Sequence, residues 1–214
     1  GLKRFAPERY ALVKESSAPD VVLVRSQDLH QMAFGANLKA VARAGAGTNN
    51  IPVAELSARG VPVFNAPGAN ANAVKELVLA GLLIAARNLA PALDFVQRLG
   101  GAAGDLDQRV EDGKKAFAGI ELPGHTLGVI GLGKIGSLVA DAAIRLGMHV
   151  TGYDPEITVD AAWSLPSQVR RANSIDELLK ASHFVTLHIP LVDKTRHLVN
   201  AKNIELLRAG AILL

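Results

Sequence analysis

Apolar runs and amphipathic stretches alternate along most of the chain, and their order predicts an α/β protein. In the first part, short apolar runs at 20–25 and 38–43 predict buried parallel strands. The amphipathic stretch at 52–59 predicts a helix, and the run at 61–65 predicts a third strand. A longer helix is predicted at 73–87. Strands that alternate with helices are typical of a parallel sheet with helices on its faces.

The same alternation returns in the second half of the chain. A polar stretch at 105–123 predicts a short helix and a loop. Beyond it, strands are predicted at 127–130, 149–153, 183–188 and 211–214, and helices at 134–146, after the capping-box pattern 174–177, and at 200–208. We therefore predict two α/β domains, residues 1–91 with the connecting helix and residues 92–214.

The longest apolar run, at 77–86, follows Lys75 and Glu76 and precedes Arg87. A helix that spans a bilayer needs about 20 apolar residues, so this run is too short. We therefore predict a buried helix here and expect no membrane partner.

Composition narrows the classes of function. The chain has 214 residues, of which 49% are hydrophobic and 20% charged, which predicts a folded core. Its net charge of +3 is spread without a block of Lys or Arg, so we expect no nucleic-acid partner. Because it contains no cysteine and its histidines lack metal-ligand spacing, we expect no metal site, and the cytoplasm as its location.

The two ends of the chain look cut. Gly1 stands where a natural chain would begin with Met, and the apolar strand 211–214 stops where its loop should begin. We therefore expect a fragment in which both domains are incomplete.

A glycine motif follows the strand at 127–130, and it predicts a dinucleotide site. Gly131 permits a tight turn, Gly133 lets a pyrophosphate approach the backbone, and Gly136 lets the next helix pack closely. Asp154, at the end of the following strand, would accept hydrogen bonds from the adenosine ribose. Because Pro155 follows and no Arg is near, NAD is favoured over NADP. The alternative interpretation is a structural strand–helix–strand unit without a ligand.

Other segments carry further recognisable patterns: 23–26, 43–51, 64–76, 153–155, 187–191 and Thr195. Together with the glycine motif they resemble the D-isomer-specific 2-hydroxyacid dehydrogenases, and within that family most resemble the branch that oxidises D-3-phosphoglycerate. The resemblance covers nearly the whole chain. It implies a Rossmann-type doubly wound parallel sheet that binds NAD, and a smaller flavodoxin-like α/β substrate (lid) domain.

The resemblance also implies a substrate site in the smaller domain. Backbone amides of Gly45, Ala46 and Gly47 would hold the substrate carboxylate, because an oxyanion needs donors without side-chain bulk. Arg25 with Ser26 would hold the phosphate of a phosphorylated 2-hydroxy acid, since a guanidinium fork matches phosphate oxygens. The alternative for Arg25 is a solvated strand end. Arg43, at the start of the glycine-rich segment 43–51, fits a functional role and a purely structural one equally well.

The resemblance assigns cofactor contacts to many positions. Ala46 would lie near the nicotinamide, and His188 would either flank the adenosine half or be an ordinary strand-end histidine. The other implied cofactor residues are Gly131, Gly133, Lys134, Ile135 and Gly136 at the pyrophosphate turn, Tyr153, Asp154 and Pro155 at the ribose, Ile189 and Pro190 beside His188, and Thr195 near the phosphates.

The family's catalytic Arg, Glu and His have no counterpart in this chain, and the resemblance implies that they follow Leu214. The expected activity is therefore hydride transfer by a larger protein, with the fragment itself inactive. Two alternatives stay open: a family member acting on glyoxylate, lactate or formate, and an NAD-sensing protein like the corepressors of the superfamily. The resemblance further implies a homodimer or homotetramer that associates through the nucleotide domain and the helix at 73–87.

Overall fold

The structure, a computed structural model, describes residues 2–100 and 105–214. These residues form two compact units, Gly1–Ala69 and Asn70–Leu214. Each unit contains its own parallel sheet.

The first unit contains a three-stranded parallel sheet in the order β1-β2-β3. Its elements are a 3-10 turn at Leu2–Arg4, β1 (Val21–Val24), β2 (Ala40–Arg43), α1 (Val53–Ala58) and β3 (Val63–Phe64). Helix α1 ends before Gly60, whose φ of 70° lies in the left-handed region that glycine adopts at helix ends. The core consists of apolar side chains from the strands, their loops and α1: Val24, Leu29, Leu38, Val41, Ile51, Leu56 and Val61.

The second unit contains a five-stranded parallel sheet in the order β6-β5-β4-β7-β8. Its elements are α2 (Ala71–Ala86), α3 (Leu89–Leu99), α4 (Leu106–Lys114), β4 (Thr126–Ile130), α5 (Lys134–Arg145), β5 (His149–Tyr153), α6 (Val159–Trp163), β6 (Arg170–Arg171), α7 (Ile175–Ala181), β7 (Phe184–Leu187) and β8 (Ile212–Leu213). Short 3-10 turns lie at Lys115–Phe117 and Ile204–Leu206. The chain leaves β4 towards β5 on one side and later returns to β7 on the other. In such sheets the crevice at the carboxyl ends of the two central strands is the usual ligand site.

The predicted α/β class and its parallel sheets are confirmed, and the two compact units divide at a different point from the predicted domains. The sequence placed the boundary between 91 and 92, whereas the structure divides between Ala69 and Asn70. The reason is that α2 packs on α5, so that Leu82 and Ala86 lie in the same core as Val139. The helix predicted to connect the domains is therefore part of the second unit.

The apolar run at 77–86 lies in α2, but the helix buries one face and not its whole circumference. Leu82 is fully buried, whereas Leu77, Leu83 and Ile84 are exposed. The prediction of a buried helix was therefore wrong for the face that carries these exposed residues. Apolar content alone does not reveal which faces of a helix meet a neighbouring element.

Three elements were absent from the sequence prediction: α3, α6 and the two-residue strand β6. The predicted helix at 200–208 was wrong, because this segment forms turns and one 3-10 turn. Asn200 Oδ1 accepts from the Lys202 amide, and Asn203 Nδ2 donates to the Leu198 carbonyl. Asn side chains that bind nearby backbone in this way compete with the helical hydrogen bonds.

Within the described ranges, length and apolar content are nowhere sufficient for one helix to cross a membrane. The bent pair formed by α2 and α3, with 64° between the two helices, meets those two criteria only when both are taken together.

Candidate functional site

The turn between β4 and α5 depends on glycine at two positions. Gly131 has a φ of 90°, and its amide donates to the Tyr153 carbonyl at 2.9 Å. A Cβ on Gly131 would lie 2.7 Å from the His188 carbonyl oxygen, and one on Gly136 would lie 1.9 Å from the Gly131 carbonyl oxygen. The strand end, the turn and the first turn of α5 are therefore packed backbone against backbone.

Gly133 lies in different surroundings from those two glycines. Leaving aside Gly133 itself and its two chain neighbours, no heavy atom of the described residues lies within 4 Å of the position that a Cβ on Gly133 would occupy. The space beside this residue is therefore open, and the missing side chain leaves room for another molecule.

Gly133 is also the N-cap of α5, a helix of 12 residues. In the described part of the chain, no side chain caps its first amides, which belong to Lys134, Ile135 and Gly136. The Gly133 carbonyl accepts from the Ser137 amide at 3.0 Å and from Ser137 Oγ at 2.8 Å. Uncapped amides and the positive end of the helix dipole together favour an anion here.

The carboxylate of Asp154 connects the end of β5 to the glycine turn. Its Oδ2 accepts from the Leu132 amide at 2.9 Å, and its Oδ1 accepts from the Glu156 amide at 3.0 Å. The side chain is half-buried at the edge of the turn, between half-buried Tyr153 and exposed Pro155. The two amides fix the orientation of the carboxylate, while each oxygen keeps a lone pair for a further donor.

The segment after β7 lies against the same turn. The His188 amide donates to the Ile130 carbonyl at 2.8 Å, and its Nε2 lies 3.0 Å from the Thr186 hydroxyl. Burial lowers the pKa of His188, which keeps the ring neutral near neutral pH. The Ile189 side chain closes over Gly131, approaching within 2.7 Å of the position of a Cβ there.

Thr195 closes the loop that follows β7. Its hydroxyl donates to the carbonyl of exposed Pro190 at 2.6 Å and accepts from the Val192 amide at 2.9 Å. A hydroxyl has one proton, and here that proton is used within the loop. A contact from Thr195 to a phosphate stays a prediction, and it requires the hydroxyl to leave Pro190.

In the first unit, three successive carbonyls of the glycine-rich loop after β2 accept hydrogen bonds. The Gly45 carbonyl accepts from the Ala66 amide at 3.0 Å, and the Ala46 carbonyl accepts from Asn65 Nδ2 at 2.7 Å. The Gly47 carbonyl accepts from the Arg43 guanidinium. The Gly45 amide, predicted to bind the substrate carboxylate, instead donates to the Arg43 carbonyl at 2.9 Å. The amides of Ala46 and Gly47 donate to no other group that the structure describes, so these two are available to an oxyanion.

Arg25 and Ser26, directly after β1, are both exposed. The Arg25 guanidinium forms no ion pair with any residue in the described ranges, and its backbone carbonyl accepts from Arg43 Nε at 3.0 Å. Sequence reasoning missed Asn65 and Asn50, which hold the backbone of these loops. An Asn beside glycine-rich turns is a weak signal, since most such residues are solvated.

No group of three or more His, Asp or Glu side chains is arranged to hold a metal ion in residues 2–100 and 105–214.

Comparison with known proteins identifies relatives that match nearly the whole chain. Residues 80–214 match the family described as D-isomer specific 2-hydroxyacid dehydrogenase, NAD binding domain, which confirms NAD as the cofactor. The chain is 40% identical over 207 residues to D-3-phosphoglycerate dehydrogenase of Methanocaldococcus jannaschii, covering 94% of this chain and 37% of that protein. It is 37% identical over 209 residues to hydroxypyruvate reductase of Thermotoga maritima, covering 96% of this chain and 63% of that protein.

A solved structure of D-lactate dehydrogenase from Aquifex aeolicus, in complex with NAD and lactic acid, is also similar. The TM-score is 0.73 at 28% identity, over 91% of this chain and 55% of that one. The chain thus spans between about a third and two thirds of the length of these relatives.

Proposed function

Because this chain belongs to the D-isomer specific 2-hydroxyacid dehydrogenase family, we propose that it forms the substrate-binding and NAD-binding parts of an enzyme that oxidises D-3-phosphoglycerate to 3-phosphohydroxypyruvate. This reaction is the entry step of phosphorylated serine biosynthesis. The observation that carries the proposal is the uncapped N-terminus of α5, open at Gly133 and adjoining the carboxylate of Asp154.

The second unit would bind the dinucleotide at this turn. The amides of Lys134, Ile135 and Gly136 would donate to the diphosphate, and the free lone pairs of Asp154 would accept from the adenosine ribose hydroxyls. His188, Ile189 and Pro190 would border the adenosine half. A second negative charge on a 2′-phosphate would face the Asp154 carboxylate, and this favours NAD over NADP.

The first unit would hold the substrate by its two anionic ends. The amides of Ala46 and Gly47 would donate to the carboxylate, and the exposed guanidinium of Arg25 would pair with the phosphate. When bound, NAD supplies the acceptor for the hydride that leaves C2. The hydroxyl proton must leave to a base, and the resemblance implies that a His oriented by a Glu serves as this base in the family.

A second candidate substrate is a 2-hydroxy acid without phosphate. It is favoured by the 37% identity to a hydroxypyruvate reductase and by the similarity to a D-lactate dehydrogenase. Both candidates use the same amide loop for the carboxylate, so Arg25 discriminates between them. An NAD-sensing binding protein is the third alternative, and it would show no turnover.

The test uses the full-length protein and compares D-3-phosphoglycerate with hydroxypyruvate and D-lactate. We expect Arg25→Ala to raise KM for the phosphorylated substrate by about 10- to 100-fold, because a charge-assisted contact of about 1.5–3 kcal/mol is lost. The short substrates should change little. An unphosphorylated substrate with higher kcat/KM and no sensitivity to Arg25 would favour the second candidate, and no turnover of any substrate would favour the third.

We further propose that the protein is a cytoplasmic homodimer or homotetramer. Several large apolar side chains of α2 and α3 are exposed, with Leu77 at 72%, Leu93 at 63% and Val96 at 61%. Exposed apolar side chains gathered on two consecutive helices favour an interface, and the resemblance implies a second copy as the partner.

A further inference from the structure

We propose that Arg43 and Asn50 are positioning residues that fix the spacing between the two ends of the substrate site. This inference rests on the proposed function for its meaning, but the contacts that support it are independent of any substrate. All of them lie within the first unit.

Arg43 connects two separate segments with one side chain. Its Nη1 donates to the Gly47 carbonyl, and its Nε donates to the Arg25 carbonyl at 3.0 Å. One segment would hold the substrate carboxylate and the other the phosphate. Lys could not make both contacts with this geometry, because its single ammonium group lacks the planar fork.

The two glycines of the loop make room for this guanidinium. A Cβ on Gly45 would lie 3.0 Å from Arg43 Nη1, and one on Gly47 would lie 3.2 Å from it. Neither glycine has a positive φ. Glycine at 45 and 47 is therefore explained by the close approach of Arg43 and not by an unusual backbone conformation.

Asn50 holds the Arg25 segment from a second side. It is 8% exposed, and its Nδ2 donates to the Gln27 carbonyl at 2.6 Å and lies 3.4 Å from the Arg25 carbonyl. The backbone carbonyl of Asn50 accepts from the Leu29 amide at 2.9 Å. The amide cannot be turned over, because Oδ1 would then face the carbonyl of Gln27. The Arg25 backbone is therefore fixed by Arg43 and Asn50 together.

The consequence is a fixed separation between the Arg25 backbone and the loop that carries the amides of Ala46 and Gly47. A substrate with an anion at each end gains both contacts only when that separation matches its length. A short 2-hydroxy acid uses the amide loop alone. Loosening the connection should therefore harm the phosphorylated substrate more than the short one.

The experiment compares Arg43→Lys with Arg59→Lys in the full-length protein. Arg59 is a matched control, because its Nη2 likewise donates to backbone carbonyls of the first unit, those of Phe34 and Gly35, away from both loops. For Arg43→Lys we expect KM for D-3-phosphoglycerate to rise about tenfold, with kcat changed less than about threefold. KM for hydroxypyruvate should rise less than about threefold, and the NAD dissociation constant should stay unchanged.

A second readout does not require turnover. Hydrogen exchange of the Ala66 amide, which donates to the Gly45 carbonyl, should be about tenfold faster in Arg43→Lys and unchanged in Arg59→Lys. Asn50→Ala should reproduce the substrate discrimination, and should it fail to fold, Arg43→Lys decides alone.

The outcomes separate this inference from the proposed function. Equal KM increases for the long and short substrates would overturn the spacing role, as would equal effects of Arg43→Lys and Arg59→Lys. If the unmodified protein does not oxidise D-3-phosphoglycerate, the proposed function fails, and the exchange of the Ala66 amide still tests the contact between Arg43 and the loop. Unchanged exchange in Arg43→Lys would overturn that contact as well.

Discussion

At the scale of single residues, the site contains side chains that serve the fold and the proposed ligand at once. Asp154 holds the Leu132 amide in addition to facing the proposed ribose position. Arg43 has the loop-holding role that the sequence left open. Sequence patterns indicated which residues matter here, but not all of their backbone partners, because several of those partners come from distant parts of the chain.

Replacing the Asp154 carboxylate should weaken NAD binding. Asp154→Asn keeps an oxygen for the Leu132 amide but removes the charge, so we expect a loss of about 1–3 kcal/mol in NAD binding. Discrimination against NADP should also decrease, because the repulsion of the 2′-phosphate is removed. Calorimetric titration of both cofactors measures these effects. An unchanged dissociation constant for NAD would remove Asp154 from the site.

The neutral state of His188 predicts a pH dependence of stability. Burial lowers its pKa below the ordinary 6.5, so the folded protein binds this proton less tightly than the unfolded chain. The free energy of unfolding should therefore be highest above pH 6.5 with respect to this group, and should decrease as the pH falls towards the folded-state pKa.

Urea unfolding at several pH values tests this expectation. The slope of stability against pH just below pH 6.5 should be shallower in His188→Gln than in the unmodified protein. Some slope should remain, because burial, Arg208 and His125 also lower the pKa of His183. Identical slopes in the two proteins would contradict the assignment to His188.

At the scale of elements, the β4–turn–α5 unit was predicted well from sequence. A buried strand, spaced glycines and an amphipathic helix are local signals, and here they follow one another directly along the chain. Of the three elements that escaped prediction, α6 and β6 are only five and two residues long, so periodicity cannot reveal them. Helix α3 is amphipathic over 11 residues and was missed in spite of its pattern. The failed helix at 200–208 shows the converse, since its Asn side chains bind the backbone instead.

The glycines of this unit should separate folding from binding. Gly136→Ala puts a Cβ against the Gly131 carbonyl oxygen, so we expect at least about 2 kcal/mol loss of stability. Gly133→Ala adds a Cβ in open space at an ordinary φ of −71°, so stability should change by less than about 0.5 kcal/mol. Its NAD binding should nevertheless weaken, because the methyl group occupies the proposed diphosphate position.

Thermal or urea unfolding and NAD calorimetry on the two variants provide the measurements. A Gly133→Ala protein that binds NAD normally would contradict a diphosphate at this turn. A Gly136→Ala protein of unchanged stability would contradict the close packing of α5 on the turn.

At the scale of the whole molecule, the structure contains two α/β units, as expected from the sequence. The position at which the chain divides into these units differs from the predicted boundary. The predicted boundary followed the long helix, whereas the structure assigns that helix to the second unit. Its membership depends on which face meets α5, and periodicity does not specify the neighbour. The other face of α2 remains exposed and supports the proposed association of copies.

Polar substitutions on this exposed surface should weaken association. For the full-length double variant Leu77→Gln/Leu93→Gln we expect dissociation to monomers at concentrations where the unmodified protein is a dimer. The reason is that burial of apolar surface stabilises an interface by about 25 cal/mol per Å², and the substitutions remove apolar surface from it. Analytical ultracentrifugation measures this change. Trp163→Gln is the matched control, since Trp163 is 85% exposed on α6, and it should leave the dimer intact. If the unmodified protein is a monomer, the proposed homodimer or homotetramer is wrong.

Local sequence was enough to establish the alternation of strands and helices, the glycine turn with Asp154, and the family to which the chain belongs. These features depend on local spacing: backbone conformation at a turn, amphipathic period and an acid at a strand end are all set by nearby residues. Tertiary structure alone decided that α2 packs on α5, that Asp154 grips the turn, and that Arg43 and Asn50 hold two loops together. Those contacts join residues far apart in the chain, and only folding brings their donors and acceptors within hydrogen-bond distance.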